Sequence, residues 1–596
     1  MARMTAVDTP LTLPVRELLR RSTLFHHLDD DELTALTEAL EWFVLPGGAT
    51  LFEAGEAADA LYVLRSGSLG AFRPRSEGDG DIEECIGLIA AGESVGELGL
   101  IVDQPRSASV RALRDSELLR LSRAAFNELV QRQPTAMLEA ARVAVERLVR
   151  RRSGDLTSSP RTLAVLPHDA GIDAREFAYA LEQVLGAYGS CCVLEAEQAA
   201  GHTSAWFAAQ EAAFRFVIYL ADADAGDWRE LCVRQADALL LLADAAGAPS
   251  PWQERACQNA QQALFRPRHL VLRHRRGEVQ AGTGAAWLAA APGARLHHWC
   301  RADDIERIAR LIAGRSLGLV LSGGGARGFA HIGVIRALRE AGIRIDAVGG
   351  TSIGAIIAAG VAAGWSDEEM IDNYRRAYVA GRPLSDYTFP FVAMTTGRRV
   401  SELLREAFGE RHIEDLALPF FAVSANLTSG DAITHRSGPL WYWLRASSAI
   451  PGVLPPVFHD GQVLVDGAVI NNLPTDVMRD ESVGDVIAVD IGADDVLHAR
   501  VEEFASPQGW RLLLDQFGRP ARPGVVSILL RAGMVNSKAA NADRRAKASL
   551  LLAPPVTGVG LLDWAAYERA IELGYQYALR EIGGPKDALA DDTPLL

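Results

Sequence analysis

No stretch of this chain is long and apolar enough to span a bilayer without a charge, Gly or Pro interrupting it. Its N-terminus, MARMTAVDTPLTLPVRELLRRS, lacks the apolar core of a secretory signal. Cysteine is sparse: Cys85, Cys191, Cys192, Cys232, Cys257 and Cys300 form no CxxC pair and no regular framework. That pattern excludes a disulfide scaffold and fits reduced thiols in the cytoplasm. A basic surplus is missing too, since 60 Lys and Arg face 76 Asp and Glu for a net charge of −16. General nucleic-acid affinity is thereby excluded, because phosphate binding needs a basic surface. No repeat of fixed period is present. These absences predict a cytoplasmic protein, whose contact with any membrane would be made from the water side, at most peripherally at the inner membrane face.

What is present is ordinary globular composition, 49% apolar and 23% charged over 596 residues, enough for several domains. Within 24–150, short β-branched and aromatic runs broken by Gly (WFVLPGG, ALYVLRSGSLGAF) predict an all-β roll, then one long helix over about 123–152. SGDLTSSP (153–160) reads as a linker. Across 161–315 the runs TLAVLP, CCVLEA, FRFVIYLAD, ALLLLAD and HLVLRH alternate with amphipathic helices, predicting a covered parallel sheet. A second alternation starts at Leu317 and runs to roughly residue 500, the segment 318–480 carrying the chemistry and 481–585 extending it; beyond about 500 the tail to about 584 reads mostly as helices.

Three local patterns in 318–480 point to chemistry. Gly323, Gly324, Gly325, Ala326, Arg327 and Gly328 follow the strand LGLVLS and precede a helical pattern. Glycines there let backbone N–H groups point at a negative oxygen. The dinucleotide-turn alternative would need an acid at the end of the second strand, but Asp346 precedes that strand. At the strand's end stand Gly350, Thr351, Ser352, Ile353 and Gly354, a GxSxG turn that lifts a serine hydroxyl clear of the backbone. A base for that serine is not obvious: His331 sits mid-helix, and His412, His435, His459 and His498 have no distinctive setting. Asp466, followed by Gly467 and Ala468, ends the run QVLV; residue chemistry alone reads it equally as a turn.

Taken together, GGGARG, GTSIG and DGA, in this order and spacing, resemble the patatin-like phospholipase family. The resemblance implies an α/β hydrolase with a Ser–Asp dyad, Ser352 as nucleophile and Asp466 as base. Backbone N–H groups around Gly324, Gly325 and Ala326 would hold the oxyanion, such donors being worth about 2.7–4 kcal/mol each. Arg327 would brace the loop or meet a lipid phosphate. The implied substrate is a phospholipid or lysophospholipid ester, with no metal and no cofactor needed for catalysis. A general carboxylesterase or peptidase on the same dyad, and a nucleotide-responsive binding protein with a vestigial hydrolase fold, are the rival readings.

Upstream, VGELGLIVDQPRSASVRA (95–112) resembles the phosphate-binding cassette of cyclic nucleotide-binding domains, with Gly96, Glu97, Leu98, Pro105, Arg106, Ser107 and Ala108 matching. Arg supplies a fork for a phosphate and Glu an acceptor for a ribose hydroxyl. A cyclic nucleotide effector is therefore expected, unless Arg106 and Glu97 merely pair at the edge of the roll. WRELCVRQADALLLL (228–242), LGYQYA (573–578) and the domain order resemble neuropathy target esterase-like lysophospholipases. His297-His298-Trp299-Cys300 has no usual metal spacing. YTFPFVAM (387–394) and Trp441-Tyr442-Trp443 fit an acyl channel, an interfacial patch or core packing.

Overall fold

The computed structural model describes residues 13–583 apart from 23, 75–82, 136, 143–159, 203, 225, 253–265, 390, 482–483, 493–540 and 557. The leader reading, the last part of the expected long helix, nearly all of the linker, Cys257, His498 and much of the tail lie outside the described residues. The chain forms two compact units. One gathers the residues up to Arg273 with Trp287–Trp299; the other holds His274–Ala286 and everything from Cys300.

The first unit begins with a roll of eight strands: β1 (Leu40–Leu45), β2 (Thr50–Phe52), β3 (Ala60–Ser66), β4 (Leu69–Pro74), β5 (Glu83–Ile89), β6 (Ser94–Val95), β7 (Ser109–Ala112) and β8 (Ser116–Ser122). They make two four-stranded sheets, in the orders β1-β8-β3-β6 and β2-β7-β4-β5. Phe43, Tyr62, Leu64, Val110 and Leu118 share one buried cluster of the roll. The helix that follows stops at Arg132, and Gln133 caps it before Pro134. Proline lacks a donor and biases its predecessor out of the helix, so the expected continuous helix is interrupted here; described helical residues resume at Thr135 and at 137–142.

The middle layer of the same unit is a parallel sheet of β9 (Thr162–Pro167), β10 (Cys191–Leu194), β11 (Phe216–Leu220), β12 (Ala238–Asp244), β13 (Arg268–Arg273) and β14 (Arg295–Trp299). Its order is β10-β11-β9-β12-β13-β14. The first five arise from the apolar runs; β14 carries His297, His298 and Trp299 into the core, which periodicity did not reveal. Arg114, between β7 and β8, fastens roll to sheet. Its Nη1 donates to both Glu211 oxygens at 2.9 Å and its Nε lies 2.8 Å from Asp237. Burial is the main influence on Glu211 and pushes its carboxyl up, against the pull of Arg114. Removing one partner from such a buried cluster typically costs about 3–5 kcal/mol.

In the second unit the sheet contains β15 (Leu317–Leu321), β16 (Ala347–Thr351), β17 (Phe420–Asn426), β18 (Ala432–His435), β19 (Val457–His459), β20 (Gln462–Asp466), β21 (Asp485–Val489) and β22 (Leu550–Leu552). The order is β19-β20-β17-β16-β15-β21-β22, with β18 also on β17. From β17 to β22 the strands run parallel; β18, β19 and β20 pair antiparallel. Helix Ile353–Ala362 (IGAIIAAGVA) is apolar on every face and wholly buried, as such a pattern requires. The tail is less purely helical than expected, because β22 completes the sheet. Helix Tyr567–Ile582 lies so close to helix Phe329–Glu340 that Gly333 meets the Ile571 carbonyl and Gly574 the Ala330 carbonyl. Any side chain at either glycine would separate the two helices.

Candidate active site

β15 and β16 are parallel neighbours, so the loops leaving their carboxyl ends lie side by side. One is the glycine loop; the other is the turn at Ser352. Ser352 adopts φ +56° and ψ −126°, a conformation rarely taken by residues other than glycine. Such a backbone typically costs about 1–3 kcal/mol and persists only where its surroundings hold it. Gly350 and Gly354 allow it: a Cβ on either would come within 2.5 and 2.3 Å of the Leu321 carbonyl oxygen. Ser352 N–H donates to Ser447 Oγ at 2.9 Å, and Thr351 Oγ1 donates to the Asn471 carbonyl at 2.8 Å.

Register brings the carboxylate in. Thr351 of β16 pairs with Val423 of β17, and the next β17 residue, Ser424, pairs with Asp466 at the end of β20. Ser352 Oγ donates to Asp466 Oδ2 at 2.6 Å, while Ala468 N–H donates to Oδ1 at 2.9 Å. Gly467 lets the chain turn there, against the Val423 carbonyl. Asp466 is buried, and burial raises its pKa from 3.8 to about 6, against the pull of the Ser352 and Ala468 hydrogen bonds. It is thus ionised at neutral pH yet far more basic than an exposed carboxylate, which is the tuning a general base needs.

The glycine loop divides into used and unused donors. Gly323 N–H reaches the Asn472 carbonyl at 3.3 Å, and Ala326 N–H donates to the Leu561 carbonyl at 2.8 Å. Ala326 was expected among the oxyanion donors; the tail occupies it instead. Among the described residues, Gly324 and Gly325 N–H have no acceptor. Arg327 Nε donates to the Val559 carbonyl at 2.8 Å, so this buried side chain braces the loop against the tail. Gly328 packs on Ile353. Asn472 was missed in the sequence, though its Nδ2 donates to the Gly323 carbonyl at 3.4 Å. Ser447, which anchors the Ser352 amide, was missed as well. Each sits in a plain polar context, INN and ASS, and only the fold brings them here.

The other titratable candidates are engaged elsewhere. Asp346 accepts from Arg310 at 2.8 Å and from Leu317 N–H at 2.9 Å, which leaves it unsuited to a ribose. His331 is buried with Nε2 2.9 Å from the Ser322 carbonyl, and burial lowers its pKa to about 4. His435 pairs with Ser424 Oγ at 2.7 Å and stacks on Trp443 at 4.0 Å, its pKa likewise lowered by burial to about 4. Beyond helix Ile353–Ala362 lies an apolar cavity of about 10 Å³, lined by Ile356, Tyr374, Tyr378, Leu403 and Phe408. It has room for about one water and none for an acyl chain.

In the roll, Arg106 is buried. Its Nη1 donates to the Gly96 carbonyl at 3.0 Å and its Nη2 to the Ala60 carbonyl at 2.8 Å and to Asp59 Oδ1 at 3.2 Å. The guanidinium also lies 4.2 Å from the Phe52 ring centre. Gly96 has φ +91°, and a Cβ there would sit 2.5 Å from Arg106 Nη1. Glu97 is buried at the start of the short helix Glu97–Ile101, Leu98 is half-buried, Ala108 is buried and Pro105 and Ser107 are exposed. The cassette thus surrounds one arginine whose outer partner, Asp59, is open to solvent.

Family profiles match in the same order as these layers: cyclic nucleotide-binding domain over 42–133, Neuropathy Target Esterase family P-loop like domain over 159–314, and patatin-like phospholipase over 319–479. An uncharacterised NTE family protein of Mycobacterium tuberculosis is 34% identical over 574 residues, covering 94% of this chain and 95% of the relative. The chain belongs to the NTE family. Human patatin-like phospholipase domain-containing protein 6 is 29% identical over 620 residues, which are 92% of this chain and 45% of that protein. Lysophospholipase NTE1 of Pyricularia oryzae is 29% identical over 644 residues, 91% and 42% respectively. This NTE family chain thus spans less than half the length of those two eukaryotic relatives. It combines a cyclic nucleotide-binding roll, a P-loop-like layer and a patatin-like phospholipase domain. In the P-loop-like layer, the segment after β9 is HDAGIDAR, with His168 between Trp252 and Trp287 at 4.9 and 4.8 Å.

Proposed function

We propose that this protein hydrolyses carboxyl esters of phospholipids or lysophospholipids through an acyl-serine, with Ser352 as nucleophile and Asp466 as general base. The observation that carries this reading is the 2.6 Å hydrogen bond from Ser352 Oγ to a buried carboxylate, beside a loop in which Gly324 and Gly325 N–H meet no acceptor among the described residues. In the first half-reaction Asp466 takes the hydroxyl proton as Oγ attacks the ester carbonyl carbon. Negative charge then develops on the carbonyl oxygen, and Gly324 and Gly325 N–H groups meet it; each such donor contributes about 2.7–4 kcal/mol. Collapse breaks the ester bond, and protonated Asp466 returns its proton to the leaving alcohol. In the second half-reaction Asp466 deprotonates water, which attacks the acyl-serine; the acyl–Oγ bond breaks, the fatty acid leaves, and Asp466 returns the proton to Ser352 Oγ. This chemistry needs neither a metal nor a cofactor.

The division of labour follows the layers: a nucleotide-sensing roll over 24–150, a connecting layer over 161–315, catalysis over 318–480 and its extension over 481–585. A cyclic nucleotide would place its phosphate on Arg106 in competition with Asp59, and its ribose near Glu97, modulating hydrolysis. The catalytic reading is tested by a lipid-class hydrolysis panel. Wild type should release fatty acid from phospholipid or lysophospholipid, and Ser352→Ala should lose at least about a thousandfold of that rate. Equal rates for the two proteins would overturn the assignment.

A further inference from the structure

Around the proposed site, one surface is out of keeping with a water-facing exterior. Tyr387, Phe389, Phe391 and Val392 are 78%, 73%, 87% and 63% exposed, and the Phe389 and Phe391 rings lie 4.8 Å apart. Exposed apolar residues scattered singly need no explanation, but four within six residues form a patch. The two ends of the segment are paired: Tyr387 and Thr395 form a β-bridge, and Thr388 N–H donates to the Met394 carbonyl at 2.9 Å. Its root is polar and fixed. Asp386 Oδ2 accepts from Thr396 Oγ1 and from Arg399 N–H. Arg382 and Arg398, both exposed, stand on either side.

The hairpin shares its anchor with the dyad. Met394 N–H donates to the Gly452 carbonyl at 2.9 Å, and Thr395 Oγ1 to the Val453 carbonyl at 2.7 Å. A few residues earlier on this strap, Ser447 Oγ accepts from Ser352 N–H and the Ala449 carbonyl accepts from Asp466 N–H at 2.9 Å. The six residue steps from Ser447 to Val453 span at most about 20 Å, so one short strap contacts both the root of the hairpin and the turn that carries the nucleophile.

We propose that the hairpin 387–394 inserts its aromatic tip into a lipid–water interface and so presents the site to aggregated substrate. The inference rests on the lipid-ester reading of Ser352 and deepens it by naming the surface met. Aromatic side chains suit the boundary between headgroups and acyl chains, and exposed arginines flanking such a segment in sequence suit lipid phosphates. A peptide groove is disfavoured because the Phe389 and Phe391 rings are largely exposed and not enclosed by neighbouring side chains.

The test uses the full chain and vesicles of phosphatidylcholine containing one-fifth phosphatidylserine. Cosedimentation is measured for wild type and for Phe389→Ser combined with Phe391→Ser, beside hydrolysis of a monomeric short-chain ester. The double variant should bind vesicles at least about tenfold more weakly and keep its rate on the soluble ester. Unchanged vesicle binding by the variant overturns the proposal, as does a wild type that hydrolyses the soluble ester without binding vesicles. So does a wild-type dimer that the variant converts to monomer, which would assign the patch to a second copy of the chain. Ser352→Ala separates the two readings: it should bind vesicles like wild type, so vesicle binding stands or falls independently of the nucleophile.

Discussion

Asp466 and Arg106 are both buried ionisable side chains at the heart of a site, yet their surroundings differ in kind. Arg106 is surrounded by acceptors: two backbone carbonyls and the Asp59 carboxylate. Burial opposes the charge on Asp59, but Arg120 and Arg106 hold its carboxyl below the ordinary value. Among the described residues, Asp466 accepts from the Ser352 hydroxyl and one amide and has no cation beside it, and burial lifts its pKa to about 6. A charge that is matched becomes a stable docking point, whereas one left unmatched becomes a base. On the proposed reading, this contrast separates recognition by the roll from proton transfer beside Ser352.

The sharpest way to break this comparison is to neutralise the unmatched charge. Asp466→Asn should reduce ester hydrolysis by at least about a thousandfold. It should also stabilise the fold. A carboxyl whose pKa rises from 3.8 to about 6 on folding binds its proton more tightly in the native state, so ionising it opposes folding. That cost develops as pH rises from about 4 to about 6 and stays constant above, at about 3 kcal/mol. Denaturant titrations should therefore show Asp466→Asn gaining stability over wild type at pH 7 and losing that gain near pH 4. Lower stability of the variant at pH 7 would refute the unmatched-charge account.

Next in size is the glycine loop. A Cβ on Gly325, which has φ +57°, would lie 2.2 Å from the Leu561 carbonyl oxygen, so Gly325→Ala must move the loop or the tail. Loss of one oxyanion donor costs about a hundred- to a thousandfold in kcat, and KM for a soluble ester should change far less. A variant with wild-type kcat would remove Gly325 from the site. The smallest effects concern the matched charge. Arg106→Ala should abolish the thermal shift produced by cyclic AMP or cyclic GMP, whereas Asp59→Asn, by removing the internal competitor, should tighten nucleotide binding several-fold. Weaker binding by Asp59→Asn would show that Asp59 helps to form the pocket.

The elbow was legible because its chemistry is local. GTSIG and GGGARG each need glycine for reasons fulfilled within a few residues, and both lie at strand ends that periodicity locates. Asp466 was ambiguous because its meaning depends on the register of β20 beside β17, which no local pattern encodes. The same holds for Ser447 and Asn472, and for the tail carbonyls of Val559 and Leu561 that meet residues over 200 positions earlier. The interruption before Pro134 was readable in the sequence, but the helical period on either side outweighed it. Apolar character alone could not decide whether YTFPFVAM faces core or solvent; exposure decides it.

The most direct measurement of the central claim is the pH dependence of kcat/KM for wild type on a soluble ester. With Asp466 as the base, kcat/KM falls about tenfold per pH unit below about 6 and is level above it. A profile flat down to pH 5 would contradict the account, because the group that takes the Ser352 proton would then not be this buried carboxylate.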